Sequence, residues 1–334
     1  MTLTPQSNTT LEQIAEAIRE RDDFVICGHV SPDGDCLGSQ LALWHALLAL
    51  GKRATCILVK DEPVPASLSF MPGIGEMVPA AAFKGSAEVF IGLDVPTRER
   101  ICSDACKILD ECAFSITIDH HAVAQRMCDY AYVEADCASA SMLVWELVKL
   151  LCPQPPAESA LCAYTGLVTD TGSFRYQNCD SRAFNCAADL VAQGVDTSYV
   201  AANVYQSRSF ASLKLEELTI QRMTVSESGV YALSWIYESD MVSLGAEKHD
   251  AEDLVDVLRS LLGVRVACIL RGQDGVVRGS LRAKDGTDVS SLARELGGGG
   301  HRAAAGFTLH LDVDEAVRLL REKLDELLKE QPGD

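Results

Sequence analysis

The stretch FVICGHVSPDGDCLGS, residues 24–39, joins a short apolar run to a helix-like segment. Phe24–Cys27 is typical of a buried strand, and the apolar residues of Leu37–Leu50 favour a long helix. A strand that leads directly into a helix is the first half of a β-α-β unit, which builds parallel sheets. The polar residues that join the two segments include His29, Asp33 and Asp35.

Strand-like and helix-like segments continue to alternate on both sides of this stretch. The helix-like segment Leu11–Arg21 precedes it, and the strand-like runs that follow are Ala54–Val59, Val89–Leu93 and Phe114–Ile118. Helical patterns dominate residues 139–224. Strands and helices alternate again beyond residue 225, and one of these helices is predicted over Ala251–Leu262. The sequence therefore predicts an α/β fold with a parallel N-terminal sheet, helices on both of its faces, and a smaller α/β C-terminal domain. We expect the N-terminal domain over 1–205, a helical connector over 206–225 and the C-terminal domain over 226–334.

The composition is that of a folded protein with room for two domains, with 334 residues, 48% hydrophobic and 23% charged. The N-terminus lacks the apolar centre of a signal peptide, and no apolar run reaches membrane-spanning length. We therefore expect a cytoplasmic protein without a membrane partner. The thirteen cysteines contain no Cys-x-x-Cys pair, which favours reduced thiols over a disulfide framework.

The charge is strongly negative overall and locally positive. A net charge of −19 argues against binding of long duplex nucleic acid, which requires a broad positive surface. Between Arg259 and Arg302, however, eight Lys and Arg residues accompany four Asp and Glu residues. This segment contains Gly297–Gly300 followed by His301, and glycines let backbone amides approach a phosphate closely. With Arg282 nearby, the element predicts a phosphate or nucleotide site, although four glycines before a strand are also typical of a flexible loop.

Acidic residues and histidines follow the predicted strands of the first domain. After the first, third and fourth strands come, in turn, His29 with Asp33 and Asp35, then Asp94, then Asp119-His120-His121. A helical segment ends at Asp170. The carboxyl ends of parallel strands meet at one edge of a sheet, where α/β proteins bind ligands, so we expect these side chains to converge. Taken singly, each also fits a structural role as a turn residue, a helix cap or a hydrogen-bonded histidine.

These side chains also favour one kind of metal site. Imidazoles with several carboxylates and no thiolate suit octahedral Mn²⁺ better than structural zinc. A bridging carboxylate can hold two such ions about 3.5–4 Å apart, which activates a water for in-line attack on phosphorus. The constellation therefore predicts a two-metal phosphoesterase that requires no side-chain nucleophile.

Five motifs, taken in order, resemble the DHH phosphoesterase superfamily over residues 12–310. They are HVSPDGDCLGS (29–39), LDVPTRER (93–100), IDHH (118–121), TDTGSFRY (169–176) and GGGGHRAAAG (297–306). The combination is similar to the branch of two-domain oligoribonucleases that also dephosphorylate 3′-phosphoadenosine 5′-phosphate (pAp). The resemblance implies that the second domain is a DHH-associated, substrate-binding domain.

The resemblance also implies a role for each candidate residue. One metal ion would be held by His29, Asp33 and Asp94, and the other by Asp35, Asp94, His120 and Asp170. The residues that act beside the metals would be Asp119, which orients a histidine, and His121, which faces the substrate phosphate. The nucleotide would be bound by Arg282, Gly299, Gly300 and His301, with Arg175 and Tyr176 as further contacts. Two Mn²⁺ ions are expected, with Mg²⁺ or Co²⁺ as substitutes. One departure is Ala283, where the family often has a serine; it bears on substrate preference and not on the metals.

The predicted reaction is hydrolysis of short single-stranded 5′-phosphorylated RNA or DNA oligonucleotides and of pAp to nucleoside monophosphates. Cleavage of cyclic dinucleotides or of linear pApA is an alternative within the same class. A family II type pyrophosphatase would lack the Gly-Gly-Gly-His element, and a RecJ-type exonuclease would need a further nucleic-acid-binding module. A nucleotide-binding sensor with structural metals is the non-enzymatic alternative. The sequence leaves open the preferred substrate, the cleavage polarity, the metal and the formation of a homodimer.

Overall fold

The computed structural model describes residues 6–122 and 125–330. The chain divides into two compact units, Met1–Ser207 and Arg208–Asp334, and each has its own sheet. All thirteen cysteines lie within the described residues and all are free thiols. Of the helices in those residues, none combines the length and the apolar character that crossing a membrane requires.

The first unit is built on a sheet with the strand order β3-β2-β1-β4-β5-β6. Its described strands are β1 (Phe24–Cys27), β2 (Ala54–Leu58), β3 (Val78–Pro79), β4 (Val89–Leu93), β5 (Phe114–Asp119) and β6 (Tyr130–Val133). Neighbouring strands pair in parallel throughout. The predicted parallel sheet is confirmed. The strand order reverses between β1 and β4, which is the position where parallel sheets open a crevice for ligands.

Helices cover both faces of this sheet, as predicted. They are α1 (Leu11–Glu20), α2 (Gly34–Ala49), α3 (Ser103–Glu111), α4 (Ala140–Leu151), α5 (Ala157–Asp170), α6 (Ser181–Ala192) and α7 (Thr197–Tyr205). Successive strand residues point to opposite faces. In β1, Phe24 and Ile26 therefore pack in the core shared with α1, α2, α4 and α5, whereas Val25 and Cys27 pack in the core shared with α3.

Helices α2 and α5 lie unusually close because glycines meet at their contact. A Cβ atom added to Gly38 would lie 2.5 Å from the carbonyl oxygen of Cys162 and 3.0 Å from the backbone nitrogen of Gly166. A Cβ atom on Gly166 would lie 2.9 Å from Oδ1 of Asp35. Since Asp35 is in the first turn of α2 and Asp170 is the last residue of α5, this contact sets the spacing of two candidate ligands.

The second unit is a smaller α/β domain with the strand order β11-β12-β10-β9-β8-β7. Its described strands are β7 (Thr224–Val225), β8 (Tyr231–Ile236), β9 (Val266–Gln273), β10 (Val276–Ala283), β11 (Gly299–His301) and β12 (Ala304–Leu309). Its described helices are α8 (Phe210–Gln221), α9 (Glu238–Leu244), α10 (Leu254–Arg259), α11 (Val289–Glu295) and α12 (Val313–Glu330). Helices α11 and α12 pack on one face, and α8 and α10 on the other. Helix α8, from the predicted connector, contributes Leu215 to this second core.

Candidate metal centre

The candidate ligands lie at the carboxyl ends of neighbouring strands. Strand β1 leads into the loop of His29, β4 ends immediately before Asp94, and β5 ends at Asp119, directly before His120. Asp94 has a left-handed backbone with φ of 55°, a conformation that aspartate tolerates better than most residues. Unfavourable backbone conformations of this kind concentrate at functional sites.

Asp94 is the centre of the cluster, and its two carboxylate oxygens face different histidines. Oδ2 lies 3.3 Å from Nε2 of His29, and Oδ1 lies 3.4 Å from Nε2 of His120. The same Nε2 atom of His120 lies 3.9 Å from Oδ2 of Asp35 and 4.0 Å from Oδ2 of Asp170. A carboxylate that presents one oxygen to each of two ligand groups has the geometry of a bridging ligand.

Backbone carbonyls orient the two histidines. Nδ1 of His29 lies 2.8 Å from the carbonyl oxygen of Val30, and Nδ1 of His120 lies 3.2 Å from that of Cys137. A carbonyl only accepts hydrogen bonds, so each Nδ1 carries the proton and each Nε2 carries a lone pair in the neutral ring. Both lone pairs face Asp94, which is how metal-binding histidines are usually fixed by a partner outside the metal shell.

The start of α2 supplies two carboxylates in different environments. Asp33 is the N-cap: its Oδ1 accepts hydrogen bonds from the first N–H groups of α2 at 3.1 and 3.0 Å, and its Oδ2 lies 3.8 Å from Nε2 of His29. Asp35 is buried and accepts hydrogen bonds from the backbone N–H groups of Ala140 at 2.7 Å and Ser141 at 2.9 Å. These are the first residues of α4, so the positive end of that helix dipole stabilises the Asp35 carboxylate.

Asp170 is held in place by the loop that follows α5. Nδ2 of Asn178 donates hydrogen bonds to the carbonyl oxygens of Asp170 and Ala138, both at 3.0 Å, and lies 3.4 Å from Oδ2 of Asp170. Residues 172–174 of this loop all have positive φ. The loop therefore turns sharply back on itself directly after the ligand.

Asp119 is buried and organises the segment that follows β5. Its Oδ1 accepts hydrogen bonds from the backbone N–H groups of His120 at 2.8 Å and His121 at 3.2 Å, and it lies 2.8 Å from Nδ1 of His121. The side chain of His121 is 29% exposed, whereas that of Asp119 is 1% exposed. Asp119 thus fixes the orientation of a histidine that borders both Asp94, at 3.4 Å, and solvent.

Burial and mutual repulsion shift the pKa values of the cluster. Burial raises the pKa of Asp35 to about 7, and the charge of Asp94 adds to that shift. Burial acts in the same direction on Asp94, but the neighbouring imidazoles of His120 and His29 hold its pKa well below the usual value. Burial acts to lower the pKa of His120, yet the neighbouring carboxylates hold it well above the usual value. Burial also raises the pKa of Asp170. Without another positive charge, the cluster therefore retains protons.

The residues present fit divalent cations. Oδ1 of Asp94 is buried and has no hydrogen-bond partner, although ring nitrogens lie 3.4 Å away. Within residues 6–122 and 125–330, no lysine or arginine forms an ion pair with any of the four candidate carboxylates, which are Asp33, Asp35, Asp94 and Asp170. Ligand atoms of Asp35, His120 and Asp170 lie within 4.8 Å of one another. Closely spaced carboxylate oxygens and imidazole nitrogens are the ligand atoms that Mn²⁺ and related ions prefer.

Cys36 lies beside these ligand atoms and was not among the predicted ligands. Its Sγ accepts a hydrogen bond from the backbone N–H of His29 at 3.3 Å, and Sγ lies within 4.8 Å of ligand atoms of His29 and Asp94. Burial raises the pKa of the Cys36 thiol. The only signal in the sequence was its position next to Asp35, which does not distinguish it from the other buried thiols.

Arg175 does not contact the carboxylates. Its side chain is exposed, and its Nε donates a hydrogen bond to the carbonyl oxygen of Gly172 at 2.6 Å, which folds it onto its own loop. Tyr176 lies in the same loop, and a Cβ atom on Gly172 would lie 2.1 Å from its ring.

In the second unit, two candidate residues lie at the same level along the strands of the sheet. Arg282 of β10 and His301 of β11 both pair with Ala304 of β12, from opposite sides. A Cβ atom on Gly299 would meet open space, and Gly300 has a φ of 139°, which favours glycine. The side chain of His301 lies outside the described residues. The glycine segment therefore forms an edge strand, and β12 separates it from Arg282.

Two families match the chain, one in each unit. Residues 23–167 match the DHH family, N-terminal domain, and residues 231–330 match the DHHA1 domain. The bifunctional oligoribonuclease and PAP phosphatase NrnA of Thermus thermophilus is 32% identical over 317 residues, which are 94% of this chain and 93% of that protein. The cyclic-di-AMP phosphodiesterase GdpP of Geobacillus thermodenitrificans is 27% identical over 93% of this chain and 48% of its own length.

Solved structures show the same architecture. An exopolyphosphatase-related protein from Bacteroides fragilis matches with a TM-score of 0.88 and 27% identity, covering 95% of both chains. RecJ of Thermus thermophilus, solved in complex with Mn²⁺, matches with a TM-score of 0.59 over 99% of this chain and 56% of RecJ, and its 15% identity shows a shared fold alone. With the near-complete match to the Thermus NrnA, these findings show that the chain belongs to the DHH family and carries a DHHA1 domain as its second unit.

Proposed function

We propose that this chain hydrolyses phosphoester bonds in short 5′-phosphorylated oligonucleotides and in pAp, with two divalent cations bound among its carboxylates. The observation that carries this proposal is Asp94, which is buried, lies between His29 and His120, and has an oxygen without a hydrogen-bond partner. The 32% identity to an oligoribonuclease and PAP phosphatase supports the substrate class, because the match extends over both domains.

The proposed ligands divide into two sets that share Asp94. One ion would be held by His29, Asp33 and Asp94, and the other by Asp35, Asp94, His120 and Asp170. Two such ions, when bound, supply a water of lowered pKa and offset charge on the phosphoryl oxygens. Mn²⁺ is the proposed ion because its preferred ligands match this mixture of nitrogen and oxygen, and Mg²⁺ or Co²⁺ would be substitutes.

His121 and Asp119 are proposed to act on the substrate as a pair. Nδ1 of His121 lies 2.8 Å from Oδ1 of Asp119, so Nε2 is the atom left to face a phosphate. The Asp119 carboxylate orients the ring, and Nε2 would donate a proton to the leaving oxygen. In the second unit, Arg282 and the backbone of Gly299 and Gly300 would bind the nucleotide phosphate, together with His301. Arg175, five residues beyond Asp170, stays a proposed substrate contact.

Replacement of Asp94 by asparagine tests the proposal most directly. Asparagine keeps the size of the side chain and tolerates the left-handed backbone, so the fold should persist while the bridging charge is lost. We expect kcat/KM for a 5′-phosphorylated dinucleotide to fall by at least about a hundredfold, since metal catalysis contributes several kcal/mol. The matched control is Asp104→Asn, which removes a half-buried carboxylate on α3 that pairs with Lys107, away from the cluster. Wild-type turnover by Asp94→Asn would overturn the assignment.

Cleavage of cyclic or linear dinucleotides is the second candidate, and the match to the phosphodiesterase GdpP favours it. The wild-type protein would be compared on pAp, a short RNA, linear pApA and cyclic diadenylate, each with Mn²⁺, Mg²⁺, Co²⁺ or EDTA. We expect the highest kcat/KM on the short RNA or pAp. A clear preference for cyclic diadenylate would favour the second candidate, and binding without any product would favour the sensor.

A further inference from the structure

Three arginines share one face of the second sheet. Side chains four residues apart on a strand point to the same face, so Arg278 and Arg282 of β10 lie on one side of the sheet. Arg271 of β9 pairs directly with Arg278, and Ser280 of β10 lies between the two β10 arginines. Across β12, the partner of Arg278 is Thr308, and on this face of β12 no acidic side chain lies opposite β10. This group of Arg271, Arg278 and Ser280 is here called the arginine strip.

The arginine strip is electrostatically unfavourable as it stands. Like charges placed directly opposite each other on neighbouring strands destabilise a sheet. Arg271 donates hydrogen bonds to the carbonyl oxygen of Ala251 at 3.0 Å and to the hydroxyl of Ser280 at 2.8 Å, but its buried Nε has no partner. Arg278 is exposed, and within residues 6–122 and 125–330 its side chain forms no hydrogen bond or ion pair.

Nearby carboxylates compensate this charge only in part. Burial lowers the pKa of Arg271; the charge of Glu252 opposes that shift, and the charges of Arg282 and Arg278 add to it. Asp253 also opposes it, but no carboxylate of the described residues lies within 4.0 Å of the guanidinium groups of Arg271 or Arg278. A guanidinium keeps its proton in proteins, so the strip stays positively charged, and a bound anion would offset that charge.

The β10 part of the arginine strip is accessible, and together with Arg282 the strip is longer than one phosphate. Helices α8 and α10 pack on the part of this face formed by β8 and β9, through Ala232, Ile236, Ala267 and Ile269. Arg278, Ser280 and Arg282 lie beyond that cover and are accessible. Four residues of strand extend about 13 Å, so Arg278 lies well away from the phosphate that Arg282 would bind. A line of positive charge of this length is suited to the backbone of a single strand.

We propose that the arginine strip is a second phosphate-binding subsite, which binds a further backbone phosphate of a single-stranded oligonucleotide beyond the phosphate held by Arg282. This subsite rests on the proposed function and deepens it, because it would make the protein prefer oligonucleotides over a mononucleotide such as pAp. Arg278 would bind the phosphate directly, and the Arg271 guanidinium on the neighbouring strand would add positive charge beside it. Ser280 would orient Arg271.

The test is Arg278→Gln, since Arg278 is exposed and its loss should leave the fold intact. The matched control is Arg318→Gln, which removes the same charge from an exposed position on α12, on the opposite face of the sheet. Binding would be measured by fluorescence anisotropy with a 3′-labelled, 5′-phosphorylated pentanucleotide, in EDTA and at several salt concentrations. Turnover with Mn²⁺ would be measured on the unlabelled pentanucleotide and on pAp.

We expect Arg278→Gln to weaken pentanucleotide binding by about two- to fivefold, the range of an exposed ion pair. The salt dependence of log Kd should lose about 0.7 units of slope, the value for one single-strand phosphate contact. Turnover of pAp should be unchanged. An unchanged pentanucleotide affinity and slope, an equal loss on pAp, or an equal loss in Arg318→Gln would overturn the subsite. If wild-type protein hydrolyses neither substrate, the proposed function fails, while the anisotropy series still decides the subsite.

Discussion

Gly38 offers a test of how the fold sets the metal centre. A methyl group at this position would lie 2.5 Å from the carbonyl oxygen of Cys162, a backbone atom that cannot move independently of α5. Ordinary contacts begin near 3.4 Å, so α2 and α5 would have to separate by about 0.9 Å. Metal coordination distances tolerate only about 0.2 Å. Because α2 carries Asp35 and α5 carries Asp170, we expect Gly38→Ala to impair metal binding as well as stability.

The stability change has two opposing parts. Forcing an extra methyl group into a packed core costs about 1–3 kcal/mol, and contact with backbone places Gly38→Ala at the upper end. Alanine is also better than glycine inside a helix by about 1 kcal/mol. The net loss is therefore about 1–2 kcal/mol. In a unit of this size that corresponds to a decrease in Tm of about 2–8 °C.

Thermal unfolding in EDTA and calorimetric titration with Mn²⁺ would measure the two effects separately. The matched control is Gly75→Ala, where a Cβ atom would meet no other atom within 4 Å. We expect the control to match the wild type in both measurements. If Gly38→Ala binds Mn²⁺ with wild-type affinity, the spacing of α2 and α5 does not set the geometry of Asp35 and Asp170.

Two further predictions concern pH and the glycine strand. The pKa of Asp35 is raised to about 7 in the folded state, so its ionisation as pH rises lowers the free energy of unfolding. His120 has a raised pKa as well, and the loss of its proton at higher pH lowers the free energy of unfolding further. The Tm of the metal-free protein should therefore fall between pH 5 and 8 in a fluorimetric scan, and excess Mn²⁺ should reverse the trend; a flat profile in EDTA would contradict it. Directly before β11, Gly298→Ala should lower Tm, because its Cβ would lie 2.1 Å from the carbonyl oxygen of Gly306. Gly299→Ala should leave Tm unchanged, because its Cβ meets open space. It should weaken nucleotide binding, because the methyl group would keep the phosphate from the backbone of Gly299. Equal Tm values for the two variants would contradict this difference.

The elements predicted most accurately from the sequence are those that are buried on both faces. Phe24–Cys27 and Val89–Leu93 are strands with these bounds because both faces of the sheet are covered, so every residue is apolar. Tyr130–Val133 was missed because it is a four-residue edge strand. Its outer edge is satisfied by Ser7, whose hydroxyl donates to and accepts from the backbone of Val133, and that contact has no local signal.

One predicted helix was too long, and a distant side chain explains why. The apolar spacing of residues 251–262 favoured a single helix, but the structure has a 3₁₀ turn at Lys248–Ala251 and a helix only over Leu254–Arg259. The carbonyl oxygen of Ala251 accepts a hydrogen bond from Nη1 of Arg271, twenty residues away. That bond occupies an acceptor that a continuous helix would use internally. The local pattern of apolar residues gives no indication of this hydrogen bond.

The candidate ligands could be found from the sequence because their chemical types and strand-end positions are local properties. Their partners could not be found in this way. Asp35 is held by N–H groups of Ala140 and Ser141, more than a hundred residues away, and Asp170 is held by Asn178. Backbone donors carry no side-chain signature, and a single asparagine in a loop is common. The candidate ligands can therefore be identified from a sequence more readily than the residues that hold them in position.

Charge links the two proposed sites to the size of the substrate. The first unit concentrates carboxylates that require cations, and the second concentrates arginines that require anions, on a chain with a net charge of −19. Each phosphate that contacts the arginine strip or a bound cation is attracted, whereas the net charge of the chain disfavours each further phosphate. Affinity should therefore rise with length while further phosphates reach a cation or an arginine, and then stop rising. This balance is the electrostatic basis for expecting that short oligonucleotides are preferred over long ones.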